Sequence, residues 1–452
     1  MHIRGAGSRV LREWLVVSGF GAILVGLTAW WPVHVSAGWF DQRFFHWPTI
    51  RTMAGELPTP DLVDIKTATG PAYHLIAAPI AWLTDSVNAT QFVMGVLCWA
   101  AVAGAVLMVT ASAPALCRYL ILIATLASPY VLQGTLWMTT DALTLALAIL
   151  GVAMALRVVR SPDVSTAFVI GLGLISAFAC ATRQTTAWLV VVAAVAVMFS
   201  PMDSRRKPGA LAAVSVPAIV VLVGLIALWG GLTPSKLADS NDAGAEPLGL
   251  PVGFALWAMF AAPLLVPLWQ LIRWDTKTII GMTLAAVACS IPAVIWTSTA
   301  HDPERKGGWL WSVVGKTGGI LDRSPALIVL AAVGAAAVFL ILRTMATEGS
   351  TAQAWVLGSA IYTSIIVSMA GSYALPKYRE IPLLACFAFV AVAVIRMAPK
   401  TPTASRLILA ALAIPAAVQT LSAIGTIGVP VLRYLIDPSS IPEPEWTHNM
   451  RD

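Results

Sequence analysis

Apolar runs of about 18–20 residues recur along the chain, and they constrain its fold more than any other feature of the sequence. A helix of this length crosses roughly 30 Å of hydrocarbon and satisfies its backbone amides within itself. Apolar residues make up 58% of the 452 positions and charged residues 11%, against about 25% charged residues in soluble domains. The sequence therefore predicts an all-α polytopic membrane protein.

Thirteen of these runs are predicted to be transmembrane helices. The first is longer than the core of a signal peptide and has no clear small-residue cleavage site, so we expect a retained helix. The thirteen runs lie near 14–32, 91–111, 118–133, 141–158, 166–181, 184–200, 211–231, 251–272, 279–297, 325–343, 353–370, 381–397 and 407–428.

Basic residues are divided unevenly between the two faces that these helices would create. If the amino terminus is cytoplasmic, that face carries fifteen basic and five acidic residues, a net charge of +10, and the opposite face has a net charge of −4. This division follows the positive-inside rule, so membrane topology explains the overall charge of +6 and no nucleic-acid partner is expected. The Ala, Val and Arg content of the helices favours a bacterial plasma (inner) membrane.

The longer loops with mixed charge all fall on the opposite, outer face, where function is expected. The run Gly70–Leu83 has about 14 residues, too few for an easy crossing, and is predicted to be a half-embedded interfacial helix. If it crossed the membrane, the charge bias of all later loops would invert. We expect a single domain over residues 1–436, with its first outer loop at about 33–90, and a flexible tail over 437–452.

The first outer loop contains the first candidate for chemistry. Asp41 directly follows the first predicted span, and a carboxylate at the membrane surface is suited to act as a base on a hydroxyl acceptor. The alternative is that Asp41 is merely hydrated beside an interfacial aromatic belt. That belt would consist of Trp39, Phe44, Phe45 and Trp47.

Three further segments carry polar side chains near predicted helix ends. Lys66 precedes the interfacial helix and His74 lies in its first turns, where both could meet a lipid phosphate, although snorkelling and ordinary packing explain them equally well. Asp141 opens a helix, where the helix dipole alone favours a carboxylate. Arg183 and Gln184 form a tight turn between two apolar runs, and an arginine at bilayer depth is costly unless it is paired.

Two late loops combine cations with aromatic side chains. The segment Thr297–Asp322 contains Arg305, Lys306 and Trp309, a combination that suits a sugar phosphate. His301-Asp302 in this loop lacks the ligand spacing of a zinc site, so a metal is not expected.

Lys377 and Arg379 stand at a helix start, at the depth of an outer-leaflet phosphate, with a snorkelled pair as the alternative. No phosphate-binding glycine loop occurs, which disfavours a nucleotide-driven pump.

In this order, the loops resemble those of the GT-C superfamily of membrane glycosyltransferases. The resemblance is greatest to the dolichyl-phosphate-glucose-dependent alpha-1,2-glucosyltransferase family, which has Asp-Glu-x-Phe-His-x-Pro-Gln after its first helix. Gln42 replaces the Glu of that pattern, one residue is inserted, and Thr49 replaces the final Gln. The residues that match it are Asp41, Phe45, His46 and Pro48.

Other family patterns have shorter counterparts. The Arg-Gln-Thr turn is matched at Arg183-Gln184-Thr185, and the proline-glycine-tyrosine pattern is similar to Gly70-Pro71-Ala72-Tyr73. The late Arg-Tyr pattern is similar to Lys377-Tyr378-Arg379 followed by Pro382, and the basic-aromatic loop to the stretch from Arg305 to Trp311.

The resemblance implies a GT-C-like helix bundle that transfers a sugar from a polyprenyl-phosphate donor to a glycan or glycolipid acceptor without a metal or other cofactor. It implies that Asp41 is the catalytic base. The implied donor-phosphate ligands are Arg379, Lys377, Arg305, Lys306 and Lys66. The implied sugar and acceptor pocket consists of His46, Trp47, His74, Asp141, Arg183, Gln184 and Trp309.

The sequence therefore predicts a polyprenyl-phosphate-sugar-dependent glycosyltransferase that acts on the outer, periplasmic or extracellular face. Two alternatives remain open at this point. A secondary transporter or flippase of lipid-linked sugars would place ionisable residues near the bilayer midplane and show repeated halves, whereas a non-catalytic assembly subunit would bind the donor without turnover.

Overall fold

The regular structure of the described residues is helical, which confirms the all-α class, whereas the GT-C-like arrangement of the bundle stays a prediction. The computed structural model describes residues 3–31, 36–234, 237, 246–295, 308–317, 323–370, 376–437 and 439, and these residues form no β-strand. Two π-helical turns occur at Gln42–His46 and Ile424–Gly428, and two 3₁₀ segments at Gln184–Ala187 and Val266–Leu271.

The α-helices of the described residues are numbered here in chain order. They are α1 (Ile3–Trp30), α2 (Ala37–Asp41), α3 (Trp47–Gly55), α4 (Ala72–Thr84), α5 (Val87–Thr110), α6 (Ala115–Leu126), α7 (Pro129–Leu136), α8 (Asp141–Val158), α9 (Thr166–Thr182), α10 (Trp188–Met198), α11 (Lys207–Trp229), α12 (Gly249–Leu265), α13 (Thr276–Ile295), α14 (Gly308–Thr317), α15 (Pro325–Glu348), α16 (Thr351–Val367), α17 (Pro376–Met397), α18 (Pro402–Ala423) and α19 (Val429–Ile436).

Within the described ranges, nine helical segments are long and apolar enough to cross a membrane. The bent pair of α6 and α7 would form a tenth, and the predicted spans that correspond to α9, α10 and α16 are shorter apolar helices. The chain is therefore a multi-pass membrane protein, and the number thirteen stays a prediction. The nine segments are α1, α5, α8, α11, α12 with its 3₁₀ extension, α13, α15, α17, and α18 continued through α19.

The outer helices expose apolar side chains that a water-soluble protein would bury. Val16 on α1 is 73% exposed, Val220 on α11 is 62% exposed and Leu284 on α13 is 63% exposed. Helices that are apolar on every side are stable in lipid, where no water competes for their backbone groups. By contrast, most side chains of α8, α12 and α17 are buried, so these helices form the centre of the bundle.

Two central helices approach each other closely at a glycine. A side chain at Gly334 of α15 would collide with the backbone carbonyl of Phe254 and the backbone of Ala258, both on α12. In membranes, small residues allow such close backbone contact, and packing at these points replaces the hydrophobic driving force that lipid cannot supply.

The bend between α6 and α7 follows from a single proline. The residue before a proline is forced out of the helical region, and Ser128, which precedes Pro129, is extended with φ −58° and ψ 129°. The two helices therefore meet at 69°. The Ser128 hydroxyl donates a 2.6 Å hydrogen bond to the buried carboxyl of Glu380 on α17, and Gln419 Nε2 on α18 donates to the same oxygen at 2.7 Å. The bend is thus attached to the helix that carries Lys377.

The predicted interfacial helix forms over Ala72–Thr84 as α4. Its 13 residues span about 20 Å, less than the hydrocarbon core. Its depth in a bilayer stays a prediction, as does the flexible tail, of which the structure describes only Asp437 and Ser439.

The contact between α12 and α15 gives a prediction for stability. Gly334→Val should destabilise the protein by about 1–3 kcal/mol, the usual range for overpacking, because the new side chain meets backbone that has no free space to move into. Gly224→Val is the matched control, since a side chain at Gly224 on α11 would meet nothing within 4 Å. Thermal unfolding in detergent, followed by circular dichroism, compares the two. Equal melting temperatures would contradict the close approach.

Candidate active site

Four ionisable side chains from separate parts of the chain meet at one end of the bundle. Lys377 Nζ lies 3.2 Å from Asp41 Oδ2 and 3.1 Å from Asp141 Oδ2. Arg183 pairs with the other oxygen of Asp141. We call these four residues the charge cluster. Its two carboxylates and two cations balance, which is how buried charge is normally accommodated.

The two carboxylates of the charge cluster have different surroundings. The side chain of Asp141 is 1% exposed, and both of its oxygens are occupied, since Thr139 also donates a hydrogen bond of 3.2 Å to Oδ2. Asp41 is 29% exposed, and in the described part of the chain Lys377 is its one charged partner, at Oδ2. Asp141 is thus a structural anchor at the start of α8, whereas Asp41 keeps an oxygen available to a ligand.

The charge cluster borders a cavity of about 240 Å³. Phe45, His46 and Tyr378 contribute its aromatic wall, and the turn at Thr67–Thr69 closes one side. The Arg183 guanidinium lies 4.9 Å from the centre of the Tyr378 ring, a cation–π contact that orients this arginine. Cations, a carboxylate and aromatic faces thus line the same cavity.

Buried amides attach the first loop to the segment before Asp141. Gln42 Nε2 donates to Gln91 Oε1 at 2.8 Å, and Gln42 Oε1 accepts from the Met138 backbone N–H at 2.8 Å. Gln91 Nε2 donates to the Leu136 carbonyl at 2.7 Å. The π-helical turn that begins at Gln42 places Asp41 and His46 on the same cavity, and such turns are frequent at functional sites.

His46 at the cavity wall stacks on His74, which lies behind it. His46 Nδ1 and His74 Nε2 are 2.8 Å apart, so one ring donates and the other accepts. Burial, and next the positive charge of Lys377, lower the pKa of His46 from 6.5 to about 3. Burial also lowers the pKa of His74, so both rings are neutral at neutral pH, and α4 is joined to the first loop through them.

The aromatic residues of the first loop are buried or half-buried. Trp39 and Phe40 are buried against Trp137, and the Arg43 guanidinium lies 5.1 Å from the Trp39 ring. Trp47 borders a separate cavity of about 220 Å³ that also involves Trp39 and Trp137. Because Asp41 is paired, the alternative of a merely hydrated carboxylate does not describe this loop.

Several residues that the sequence suggested for the site do not border this cavity. Arg379 is 1% exposed, and its guanidinium donates to the Ser368 carbonyl at 2.6 Å instead of facing the cavity. Gln184 is buried and donates to the Leu232 carbonyl at 2.7 Å. Lys66 is exposed beside the Thr67–Thr69 turn, and Trp309 packs against the core on α14.

Two predicted phosphate ligands, Arg305 and Lys306, lie outside the described residues, as does the His301-Asp302 pair. Among the residues that the structure describes, no three His, Cys, Asp or Glu side chains are arranged to hold a metal ion.

Tyr378, Gln42 and Gln91 contribute to the site but were not among the predicted site residues. Gln91 carried a usable signal, because an amide within a long apolar run needs a buried partner. Tyr378 was indicated only by its place in the Lys377-Tyr378-Arg379 pattern.

No protein-family model matches the sequence, and no curated protein matches it. The resemblance to the GT-C superfamily therefore depends on the short motifs alone. Residues from three of these motifs border the same cavity: Asp41, Phe45 and His46 from the first loop, Arg183 from the Arg-Gln-Thr turn, and Lys377 with Tyr378.

The unequal burial of the two carboxylates predicts unequal effects of neutralising them. Asp141→Asn should destabilise the protein by about 3–5 kcal/mol, because it leaves Arg183 and one side of Lys377 without a compensating charge. Asp41→Asn removes the same charge at a more exposed position, so its effect should be clearly smaller. Thermal unfolding at pH 7.5 measures both, and an equal loss of stability would contradict the assigned roles.

Stability should also decrease in acid because of His46. Its pKa is 6.5 when unfolded and about 3 when folded, so the unfolded chain binds the proton first as the pH falls. The stabilisation is complete above pH 6.5 and is lost toward pH 3, by up to about 1.4 kcal/mol per pH unit. Melting temperatures between pH 7.5 and 4 should fall less steeply in His46→Asn. Parallel curves for the two proteins would disprove this.

Proposed function

We propose that the chain is a glycosyltransferase that moves a sugar from a polyprenyl-phosphate donor to a hydroxyl of a glycan or glycolipid acceptor. The observation that carries this proposal is the contact between Asp41 and Lys377 at the cavity wall. It joins a base for the acceptor hydroxyl directly to a cation for the leaving phosphate.

The reaction needs one bond to form and one to break. The acceptor oxygen attacks the anomeric carbon of the sugar, and the bond between that carbon and the phosphate oxygen breaks. Asp41 takes the proton of the acceptor hydroxyl. The lipid phosphate departs with the electron pair and gains a negative charge, which Lys377 stabilises.

The charge cluster couples these two events. Before the reaction, Lys377 is shared by the carboxylates of Asp41 and Asp141. When Asp41 accepts a proton it becomes neutral, and Lys377 loses one of its two anionic partners. The ammonium is then free to pair with the phosphate at the moment its charge develops, so the proton transfer strengthens the interaction that the transition state needs.

The remaining groups fit the other parts of the substrates. The aromatic side chains of Phe45 and Tyr378 border the same cavity and offer surfaces for sugar C–H groups. Membrane lipid is the natural source of a polyprenyl donor, since the site stands at the ends of the apolar helices α8 and α17. The bacterial plasma membrane, with the cavity on its outer face, is the proposed location, supported by the charge bias of the loops.

Turnover and donor binding measured separately test the proposal. With purified protein and a panel of polyprenyl-phosphate sugars, Asp41→Asn should lower transfer by about 10²–10⁴-fold through loss of the base, with donor binding retained. Lys377→Gln should weaken donor binding by about 10–100-fold, because it removes a charged phosphate contact. Asp61→Asn is the control, since Asp61 is an exposed carboxylate of the same loop that does not border the cavity.

Two outcomes would count against this function. Full transfer activity in Asp41→Asn would remove the proposed base. Donor binding without transfer in the wild type, across the whole panel of sugars and acceptors, would instead favour a non-catalytic subunit.

A further inference from the structure

A second cavity, of about 540 Å³, lies at the opposite ends of two helices that begin in the charge cluster. Asp141 begins α8 and Lys377 stands at the start of α17, whereas Arg160 and Arg396 border the second cavity. Each arginine follows its counterpart by 19 positions, which is about 28 Å along a helix. This distance is close to the thickness of the hydrocarbon core. The second cavity therefore opens at the depth of the other layer of lipid headgroups.

Within the described ranges, the hydrogen-bond partners of the two arginines are neutral. Arg160 Nη2 donates to Gln353 Oε1 at 2.7 Å, and Arg396 Nη2 donates to Ser112 Oγ at 2.8 Å. Partial burial, and next the charge of Arg396, lower the pKa of Arg160, so the two cations are close enough to repel each other. Among the described residues, no carboxylate lies within 4 Å of either guanidinium.

Two other arginines at this end of the bundle are neutralised by carboxylates of the protein. Arg118 pairs with Glu13 at 2.6 Å, and Arg273 pairs with Glu348 at 2.9 Å. Two like charges so close together repel each other, and each guanidinium retains donors in a planar arrangement that suits an oxyanion. The second cavity thus has a positive charge that the described chain does not compensate.

Apart from Ser112, Ser350 and Gln353, the rest of the cavity wall is apolar, and it extends into the bundle. Phe389 lies two helical turns from Arg396 on α17, which is about 10 Å deeper. Leu357 and Met108 contribute from α16 and α5. A free anion would leave this apolar part unfilled, whereas a molecule with a charged head and a hydrocarbon chain matches both parts.

We propose that this second cavity binds the phosphate headgroup of a membrane lipid between Arg160 and Arg396, with the start of the hydrocarbon chain against Phe389 and its neighbours. Phosphate is the expected head because two guanidinium groups can each donate two hydrogen bonds to its oxygens. The proposal does not depend on the function of the charge cluster, from which this cavity is separated by the length of α8.

Binding to the purified full-length protein in an uncharged detergent tests the assignment. The probes are dioctanoyl phosphatidic acid, dioctanoylglycerol with the same chains but no phosphate, and inorganic phosphate, with binding measured by native mass spectrometry. Phosphatidic acid should bind, and Arg160→Gln with Arg396→Gln should raise its dissociation constant at least about tenfold, because both charged donors to the phosphate are lost. Arg406→Gln removes an exposed arginine outside the cavity and should have no effect.

A second variant tests the apolar part. Ala393→Phe places a ring in the cavity and leaves both arginines intact. It should therefore weaken the binding of phosphatidic acid and leave the binding of inorganic phosphate unchanged. The melting temperature of each variant establishes that it is folded.

Three results would overturn the proposal. Phosphatidic acid could bind the double arginine variant as well as the wild type, or dioctanoylglycerol could bind as tightly as phosphatidic acid. Equal affinity for inorganic phosphate and phosphatidic acid would identify a site for a free anion and exclude the lipid.

Discussion

The pairing of charges withdrawn from water is the constraint on which this structure depends. Lys377 lies between two carboxylates, and Arg183 neutralises the more buried of them, Asp141. Taking a charge from water into a helix bundle carries a penalty of several kcal/mol per ion that only a close and well-oriented partner offsets. The charge cluster therefore fixes the relative positions of α2, α8, α9 and α17. Asp41, the partner that remains partly exposed, is the member that can exchange its interaction for a substrate.

The fold class could be predicted from the sequence because runs that are apolar on all sides have few stable forms other than membrane helices. The ends of the individual helices were less predictable. The first helix begins at Ile3 rather than near Trp14, since hydropathy reports apolar residues and not where hydrogen bonding begins. The single run predicted near 118–133 is two helices, because an extended Ser128 before Pro129 changes the chain direction without changing its hydropathy.

The candidate site could be predicted in part. Asp41, Asp141, Arg183 and Lys377 were all candidates, yet no spacing in the sequence indicated which would touch which. Lys377 and Arg379 appeared equivalent, but two positions on a helix differ by about 200° around its axis. Once Lys377 faces the cavity, Arg379 faces the opposite side and contacts Ser368. The side chains of Gln184 and Arg183 point in different directions for a similar reason. A 3₁₀ segment begins at Gln184, so the chain turns between the two residues.

The order in which the members of the charge cluster occur along the chain has a consequence for biosynthesis. Asp41, Asp141 and Arg183 belong to the first half of the sequence, and Lys377 follows Asp41 by 336 positions. During synthesis from the amino terminus, the early helices must therefore hold an arginine and two carboxylates with a surplus negative charge until α17 is inserted. A chain interrupted before α17 would retain that surplus. The charges of the cluster therefore balance only when the last quarter of the nascent protein has joined the bundle.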